Sequence, residues 1–398
     1  MMKFRVNFYI LIVFFTSTLL ACQSNTETVS ARPKFNPLID NTPPRPLQYA
    51  DTTTPYYTKL IERLDSFYNV QVRGGFNGSV LLQENGKIFY ERYLGYQNKQ
   101  KGYKLRYNSS SQLASTSKTF TAAAILFLYQ HHYLNIDDKV KDYLPTFPYS
   151  GITIKMLMNH RSGLSDYIKW GKPMITDSKK EIGNDKILQL FAKYKPKLLF
   201  SPDTRFHYSN SNYCILALVI EAVTEMKYSV FLKKYIFEPL GMNHTFVYES
   251  AKGLPPNATL TYYSNWQIFP NDFCDGVVGD KGIYSTVRDM YLWDQSFYQE
   301  KLLDNETMEL AYGPCSFEKP GIKNYGLGWR MLCYPSGNKI VFHNGKWHGN
   351  NTVFFRFIKD NMTFIILGNK RNSNIYRQSK VLYSIIRNVP VSEGFDEE

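Results

Sequence analysis

The 398-residue chain contains only five cysteines, and neither a C-x-x-C pair nor any other metal-ligand spacing occurs in it. It also lacks a G-x-S-x-G turn, an H-E-x-x-H helix and a Walker phosphate loop. Gly326-Leu327-Gly328 is followed by Met331 where a dinucleotide fingerprint needs glycine. The sequence therefore predicts neither a metal site nor a cofactor.

Clustered positive charge is also missing. The chain has 47 lysines and arginines against 34 acidic residues, a formal net charge of +13, but the basic residues are scattered. We therefore expect no nucleic-acid partner, although the surplus allows weak attraction to anionic lipid or to the cell wall.

The N-terminus has the pattern of a secretory signal. Lys3 and Arg5 precede an apolar stretch from Val6 to Leu20, which is short for a membrane span. Leu19-Leu20-Ala21-Cys22 resembles the bacterial lipobox, which implies that residues 1–21 are removed and that Cys22 is lipidated. An uncleaved signal anchor is the alternative. Both readings place the domain outside the cytoplasm, in the cell envelope, and acyl chains on Cys22 would hold it at a membrane.

Residues 22–54 are polar and proline-rich, which predicts an extended tether. Helical spacing predicts a first helix from about 55 to 70, and Asn85-Gly86 between two β-rich runs predicts a hairpin. Strand patterns return after about residue 280. We therefore predict one domain over 55–398, with a sheet lobe (about 55–115 and 280–398) built from both ends and an inserted helical lobe (about 116–279).

Ser115 and Lys118 form the most informative motif, S-x-x-K, directly before an apolar run from Thr119 to Tyr129. The run predicts a buried helix with Ser115 at its N-cap and Lys118 in its first turn, where the helix dipole disfavours a cation. Positions i and i+3 share a helix face, so Lys118 Nζ can lie beside Ser115 Oγ and act as the base that a serine nucleophile needs. A capping serine followed by a solvated lysine gives the same pattern. A catalytic interpretation of the motif therefore needs further candidate catalytic residues elsewhere in the sequence.

Tyr208 and Asn210 precede a second apolar helix, predicted from Tyr213 to Ile220. A tyrosine near a lysine can share or pass a proton, and Asn210 can donate to a substrate carbonyl and accept from Lys118. A packing tyrosine and a capping asparagine are the alternative interpretation.

His343-Asn344-Gly345 follows a predicted strand, Lys339 to Phe342. Gly345 would allow another chain to approach the strand edge closely, and that edge could bind an extended acyl substrate. We expect His343 at the rim of this cleft, although a plain surface histidine has the same pattern. Cys214, Cys274, Cys315 and Cys333 allow three disulfide pairings, among which the sequence does not choose.

Together these motifs resemble the serine β-lactamase and penicillin-binding-peptidase superfamily, in its branch of class C β-lactamases, D-aminopeptidases and β-lactamase-fold esterases. The resemblance covers roughly residues 55 to 370, with S-x-x-K at Ser115, Y-x-N at Tyr208 and H-N-G at His343. It implies an α/β (α+β) fold in which an antiparallel sheet is flanked by helices.

The resemblance also implies roles. Ser115 would be acylated, and Lys118 and Tyr208 would share the base role, with the proton acceptor left open. The backbone N–H groups of Ser115 and Lys346 would form the oxyanion hole. Asn210, His343 and Gly345 would contact the substrate.

One departure affects the expected substrate. His343 stands where true β-lactamases carry a lysine, and a neutral histidine is a weaker carboxylate anchor, although Lys346 could replace the charge. We therefore expect an acyl-serine hydrolase of esters, amides or D-amino-acid peptides, with cell-wall crosslinks less favoured and β-lactams last. A binding protein that holds peptidoglycan peptides on the same fold without turnover is the alternative.

Overall fold

The computed structural model describes residues 34–37, 40, 42–175 and 181–391. The predicted signal peptide and Cys22 lie outside these ranges. Within them, the strands are β1 (Gly78–Glu84), β2 (Lys87–Leu94), β3 (Tyr96–Asn98), β4 (Tyr103–Lys104), β5 (Ser111–Gln112), β6 (Phe246–Val247), β7 (Ile283–Ser285), β8 (Lys323–Tyr325), β9 (Arg330–Cys333), β10 (Lys339–Trp347), β11 (Asn350–Phe357) and β12 (Met362–Gly368). The α-helices are α1 (Pro55–Arg73), α2 (Ser117–Gln130), α3 (Ile154–Met158), α4 (Tyr167–Trp170), α5 (Asn184–Tyr194), α6 (Asn210–Thr224), α7 (Tyr228–Leu232), α8 (Val287–Tyr298), α9 (Asn305–Ala311) and α10 (Gln378–Arg387).

The main sheet has seven strands in the order β2-β1-β12-β11-β10-β9-β8, and its neighbours pair antiparallel. β1 pairs along its whole length with β12, from Gly78 opposite Gly368 to Glu84 opposite Met362. Strands from the two ends of the domain therefore lie side by side, which confirms the predicted fold class of helices with an antiparallel sheet built from both ends.

The predicted hairpin joins β1 to β2. Asn85 and Gly86 have φ of 52° and 74°, the pair of left-handed conformations that a tight two-residue turn with the twist of the strands requires.

The two faces of the sheet pack against different helices, because successive side chains of a strand point to opposite faces. On β11, Val353 and Phe355 belong to one apolar cluster, which includes side chains of α1 and α10. Phe354 belongs to the other cluster, with α2, α6 and α8. The apolar run predicted as a buried helix is α2, and it lies in this second cluster.

Contacts with the domain begin before the predicted boundary at residue 55. The Phe35 ring lies 4.9 Å from that of Tyr133 and 5.1 Å from that of Tyr235. Gln48 and Ala50 hydrogen-bond with the backbone of Ile88 at the edge of β2. The later part of the predicted tether therefore packs on the domain. Isolated apolar residues among prolines have no periodicity, so the sequence did not indicate these contacts.

Within the described ranges, the four cysteines Cys214, Cys274, Cys315 and Cys333 are all free thiols. No helix of the described chain combines the length and the apolar character needed to cross a bilayer.

Candidate active site

Ser115 lies in a short 3₁₀ turn, Ala114–Thr116, immediately before α2. The predicted N-cap role of Ser115 is wrong: Thr116 occupies the cap position, and its side chain makes no capping bond. Ala114 has φ of 50°, a conformation that costs energy in a residue other than glycine. The backbone therefore bends at the residue before Ser115, and Ser115 lines a cavity.

Lys118 is fully buried in the first turn of α2. Its Nζ donates to Ser115 Oγ at 3.2 Å, to Asn210 Oδ1 at 2.8 Å and to the backbone oxygen of Asp280 at 2.8 Å. Three acceptors thus surround the three N–H groups of an ammonium. In the neutral amine, two N–H groups would stay with the shorter bonds to Asn210 and Asp280, so the lone pair would face Ser115. That arrangement suits transfer of the serine proton to Lys118.

Asn210 is the first residue of α6, and its amide is oriented by Asp166. Asn210 Nδ2 donates to Asp166 Oδ2 at 2.8 Å, which leaves Oδ1 facing Lys118. The other oxygen of Asp166 caps α4 by accepting from the backbone N–H of Ile168 at 3.1 Å. Sequence reasoning missed Asp166. The only indication in the sequence was that an aspartate precedes a short helix, and an ordinary N-cap residue has the same pattern.

The carbonyl that binds Lys118 belongs to a buried charged group. Lys281 Nζ lies 3.4 Å from Asp280 Oδ2 and donates to Tyr167 Oη, which in turn donates to Asp280 Oδ2 at 2.9 Å. Burial lowers the pKa of Lys281, but the charge of Asp280 raises it, with a net rise above the ordinary 10.5. Lys281 therefore keeps its charge, and its contacts with Asp280 and Tyr167 hold this backbone in place. Because every residue has a backbone carbonyl, the sequence did not indicate that this one would accept from Lys118.

Tyr208 lines the same cavity as Ser115. Lys118 Nζ lies 5.0 Å from the centre of its ring, and the Arg330 guanidinium carbon lies 5.2 Å from it. The ring of His160 packs against it, with 4.3 Å between ring centres. Tyr208 is therefore close enough to the Arg330 guanidinium for a favourable cation–π contact, and its ring also lies beside the Lys118 amine.

Gly345 lies within β10, opposite Thr352, because the strand is longer than predicted and includes the whole H-N-G motif. A Cβ at Gly345 would lie 2.2 Å from the oxygen of Leu113 and 2.3 Å from Thr352 Oγ1. Thr116 Oγ1 also donates to the backbone oxygen of His343 at 3.2 Å. The glycine therefore allows the turn that carries Ser115 to lie directly against β10.

The prediction that His343 lies at the rim is wrong, because its side chain is fully buried. Nδ1 donates to the backbone oxygen of Asn344 at 2.9 Å, and Nε2 lies 3.3 Å from Tyr325 Oη, from which it can accept. Burial, and then the charges of Arg330 and Lys118, hold the pKa of His343 well below 6.5. His343 is therefore a neutral side chain behind the site.

The cavity that contains Ser115 has a volume of about 440 Å³. Its described lining includes no acidic residue but three cations, Lys323, Arg330 and Lys346; the remaining lining residues are Ser115, Tyr208, Asn324, Met331, Phe342, Asn344, Gly345 and Tyr376. Lys346 was expected here, whereas Lys323 and Arg330 were not. Scattered basic residues converge on one cavity only in the folded chain.

A protein-family model described as Beta-lactamase matches residues 69–383. The chain belongs to the β-lactamase family. Penicillin-binding protein 4* of Bacillus subtilis (strain 168) is 35% identical over 320 residues, which cover 76% of this chain and 70% of that relative. Teichoic acid D-alanine hydrolase of Staphylococcus aureus (strain NCTC 8325 / PS 47) is 30% identical over 345 residues, covering 84% and 78% of the two chains.

Solved structures agree with this membership of the β-lactamase family. FmtA of Staphylococcus aureus superposes with a TM-score of 0.68 at 26% identity, covering 90% of this chain and 96% of FmtA. D-amino acid amidase of Ochrobactrum anthropi SV3, complexed with L-phenylalanine, has a TM-score of 0.69 at 22% identity over 83% and 99% of the chains, a likeness of fold. The expected enzyme class, a serine hydrolase of the β-lactamase fold, is confirmed.

Proposed function

We propose that the protein hydrolyses esters or amides of D-amino acids in the bacterial cell envelope, through an acyl intermediate on Ser115. The contact between Lys118 Nζ and Ser115 Oγ, at 3.2 Å, carries this proposal. Asn210 and Asp280 fix the amine on its other sides, so that its third position faces the serine.

In the first half of the reaction, Ser115 Oγ bonds to the substrate acyl carbon while its proton passes to Lys118, with Tyr208 as the second candidate for this role. The backbone N–H groups of Ser115 and Lys346 stabilise the negative oxygen that develops. The bond to the leaving group then breaks, and the leaving oxygen or nitrogen takes the proton. In the second half, water adds to the acyl carbon and gives a proton to Lys118; the bond between the acyl carbon and Ser115 Oγ then breaks, Oγ takes that proton from Lys118, and the acid product leaves.

The choice of substrate rests on two supports. His343 is buried and neutral where a β-lactamase carries a lysine, so the binding of a β-lactam carboxylate lacks that charge. The names of similar proteins, a teichoic acid D-alanine hydrolase and a D-amino acid amidase, both refer to D-amino-acid derivatives. We therefore rank D-aminoacyl esters and amides first, crosslinked wall peptides second and β-lactams last.

The membrane anchor is also part of the proposal and rests on the lipobox-like Leu-Leu-Ala-Cys sequence. Cys22→Ser in the full chain should move the protein from the detergent-extracted membrane fraction to the soluble fraction of cells. Unchanged fractionation would favour the uncleaved signal anchor.

The test of the activity is a paired panel of D- and L-alanyl esters and amides, together with a fluorophosphonate probe. We expect hydrolysis of the D compounds and one probe adduct, with both abolished in Ser115→Ala and unchanged in the exposed Ser201→Ala. Turnover that is equal in wild type and Ser115→Ala, without an adduct, would overturn the proposal. Wall-peptide binding that survives Ser115→Ala, with no product from any substrate, would establish the binding protein instead.

A further inference from the structure

A tyrosine that the mechanism does not use holds the peptide bond between Gly345 and Lys346. The backbone oxygen of Gly345 accepts from Tyr376 Oη at 2.8 Å. Tyr376 belongs to a short 3₁₀ helix, Ser373–Arg377, immediately before α10, and it lines the cavity that contains Ser115. The N–H of the same peptide bond belongs to Lys346, the proposed second donor of the oxyanion hole.

The geometry of a trans peptide connects the carbonyl contact to the N–H group. The C=O and N–H of a trans peptide bond point in opposite directions, and the described residues include no cis peptide bond. A hydroxyl that fixes the Gly345 carbonyl therefore also fixes the direction of the Lys346 N–H. The hydrogen bond polarises the peptide as well, which makes that N–H a stronger donor.

The end of β10 needs such support because it has fewer strand contacts than the beginning. β9 pairs with β10 only as far as Phe342, whereas β11 pairs with it as far as Trp347. Among the described strands, β11 is therefore the only partner of residues 343–347. The orientation of the Lys346 N–H depends accordingly on side chains that hold this segment.

Tyr376 is restrained so that its hydroxyl can act as a donor. Oη also lies 3.2 Å from Oδ1 of Asn351, the buried residue opposite Lys346 on β11. Asn351 Nδ2 in turn donates to the backbone oxygen of Gly349, between β10 and β11, at 2.8 Å. Burial raises the pKa of Tyr376 above its ordinary 10.0, so the hydroxyl keeps its proton at neutral pH.

Asp275 holds the residues that follow Lys346. Trp347 Nε1 donates to Asp275 Oδ1 at 2.7 Å, and His348 Nε2 lies 2.9 Å from the same oxygen. Burial raises the pKa of Asp275, but the hydrogen bond with His348 lowers it, with a net fall below the ordinary 3.8. A buried carboxylate thus fixes the position of Trp347 while Tyr376 fixes the peptide before it.

We propose that Tyr376 is a positioning residue of the oxyanion hole, whose hydroxyl orients and polarises the Gly345–Lys346 peptide while Asp275 holds Trp347 behind it. This inference rests on the proposed function, in which the Lys346 N–H stabilises the negative oxygen of the reaction. Tyr376 acts through the peptide bond and does not itself take part in bond formation or proton transfer.

Tyr376→Phe tests the proposal, because it removes the hydroxyl and keeps the ring. With a D-alanyl ester, kcat should fall about 3- to 30-fold, less than the 10²- to 10³-fold that follows removal of an oxyanion donor itself. KM should stay within about twofold of the wild-type value, since the oxyanion develops only after the substrate has bound.

A boronic acid supplies a second measurement that a general structural change would not move in parallel. The boron of D-configured 1-aminoethylboronic acid, an analogue of alanine, bonds to Ser115 Oγ, and the serine proton passes to Lys118. The tetrahedral boronate that forms is negatively charged, like the transition state. Tyr376→Phe should therefore raise the Ki of this acid by the factor by which it lowers kcat.

Two further variants complete the comparison. Tyr103→Phe, on the exposed strand β4, is the matched control and should change neither kcat nor Ki. Trp347→Phe loses the indole N–H that binds Asp275 and should show the same paired change by a smaller factor. This variant keeps the test valid even if Tyr376→Phe fails to fold.

If neither Tyr376→Phe nor Trp347→Phe lowers kcat and raises Ki together, while Ser115 still forms its adduct, the inference is overturned. A rise in KM alone in Tyr376→Phe would also overturn it, because the hydroxyl would then contact the bound substrate. Absence of turnover and of the Ser115 adduct in the wild type would instead refute the proposed function and this inference with it.

Discussion

Asn210 Oδ1 lies 2.8 Å from Lys118 Nζ, and this contact depends on Asp166. Asn210 Nδ2 is held by the Asp166 carboxylate, so the amide presents its oxygen to the lysine and not its NH₂ group. A carboxylate that is not part of the cavity lining thus sets the environment of the base.

Asp166→Asn should lower kcat about 10- to 100-fold, part of the 10²- to 10⁴-fold that a general base supplies. The new amide has only one oxygen, so it must lose either the cap of α4 or the contact that orients Asn210. Steady-state kinetics on a D-alanyl ester, with a thermal melt, measures both effects. We expect the thermal melt to show that the free energy of unfolding falls by no more than about 1 kcal/mol.

Glu62→Gln on the exposed face of α1 is the matched carboxylate-to-amide control and should change neither quantity. Unaltered kcat in Asp166→Asn would show that the orientation of Asn210 does not depend on Asp166.

Gly345→Ala should lower kcat/KM by roughly 100-fold, because an error of about 1 Å in placing a reacting group has costs of that order. The added Cβ would meet the oxygen of Leu113 at 2.2 Å and push the Ser115 turn away from β10. Gly151→Ala, where a Cβ meets nothing within 4 Å, is the control. If both variants keep wild-type kinetics, the close packing of the turn on β10 is not needed for activity.

The pH dependence of stability should report two buried histidines. Burial and then nearby charges, Lys118 among them, hold the pKa values of His160 and His343 well below 6.5 in the folded chain. Once unfolded, each titrates near its ordinary value, so below about pH 6.5 the unfolded chain binds more protons than the folded one. The free energy of unfolding should therefore fall as the pH is lowered from about 7 toward 5.

The contribution of each histidine is at most about 1.4 kcal/mol per pH unit. Urea titrations at several pH values in this range measure the free energy of unfolding. The change of this free energy with pH should be smaller in His160→Gln and in His343→Gln than in the wild type, and smallest in the double variant. If the free energy of unfolding of the variants changed with pH as it does in the wild type, both imidazoles would have to accept protons in the folded state.

Local spacing was sufficient to predict Ser115 with Lys118, since residues three apart on a helical turn share a face whatever surrounds them. The hairpin of β1 and β2 was predictable for a similar reason: β-rich runs and the Asn85-Gly86 turn act over short distances. His343 was placed wrongly because the strand was ended at Phe342. Pairing with β11 extends β10 to Trp347, and this puts the histidine in the interior.

Asp166, the Asp280 carbonyl and Arg330 were not predictable, because each acts through an approach between distant segments. Asp280 contributes a backbone atom, which any residue possesses. Arg330 is one of 47 basic residues, and only the pairing of β9 with β10 brings it over Tyr208. None of these three groups has a recognisable sequence pattern. In the folded chain, however, they contact Lys118, its partner Asn210 or the cavity.

The most direct test of the central claim, that Lys118 activates Ser115, is the rate at which Ser115 is acylated in a single turnover. Rapid quenching and intact-mass analysis of the wild type with a D-alanyl ester should show an acyl adduct that peptide mapping assigns to Ser115. Lys118→Arg keeps a basic side chain, but a guanidinium stays protonated at neutral pH and cannot accept the proton of Ser115, so the acylation rate should fall about 10²- to 10⁴-fold. The exposed Lys59→Arg should acylate like the wild type. An acylation rate unchanged in Lys118→Arg, or an adduct on a residue other than Ser115, would contradict the account.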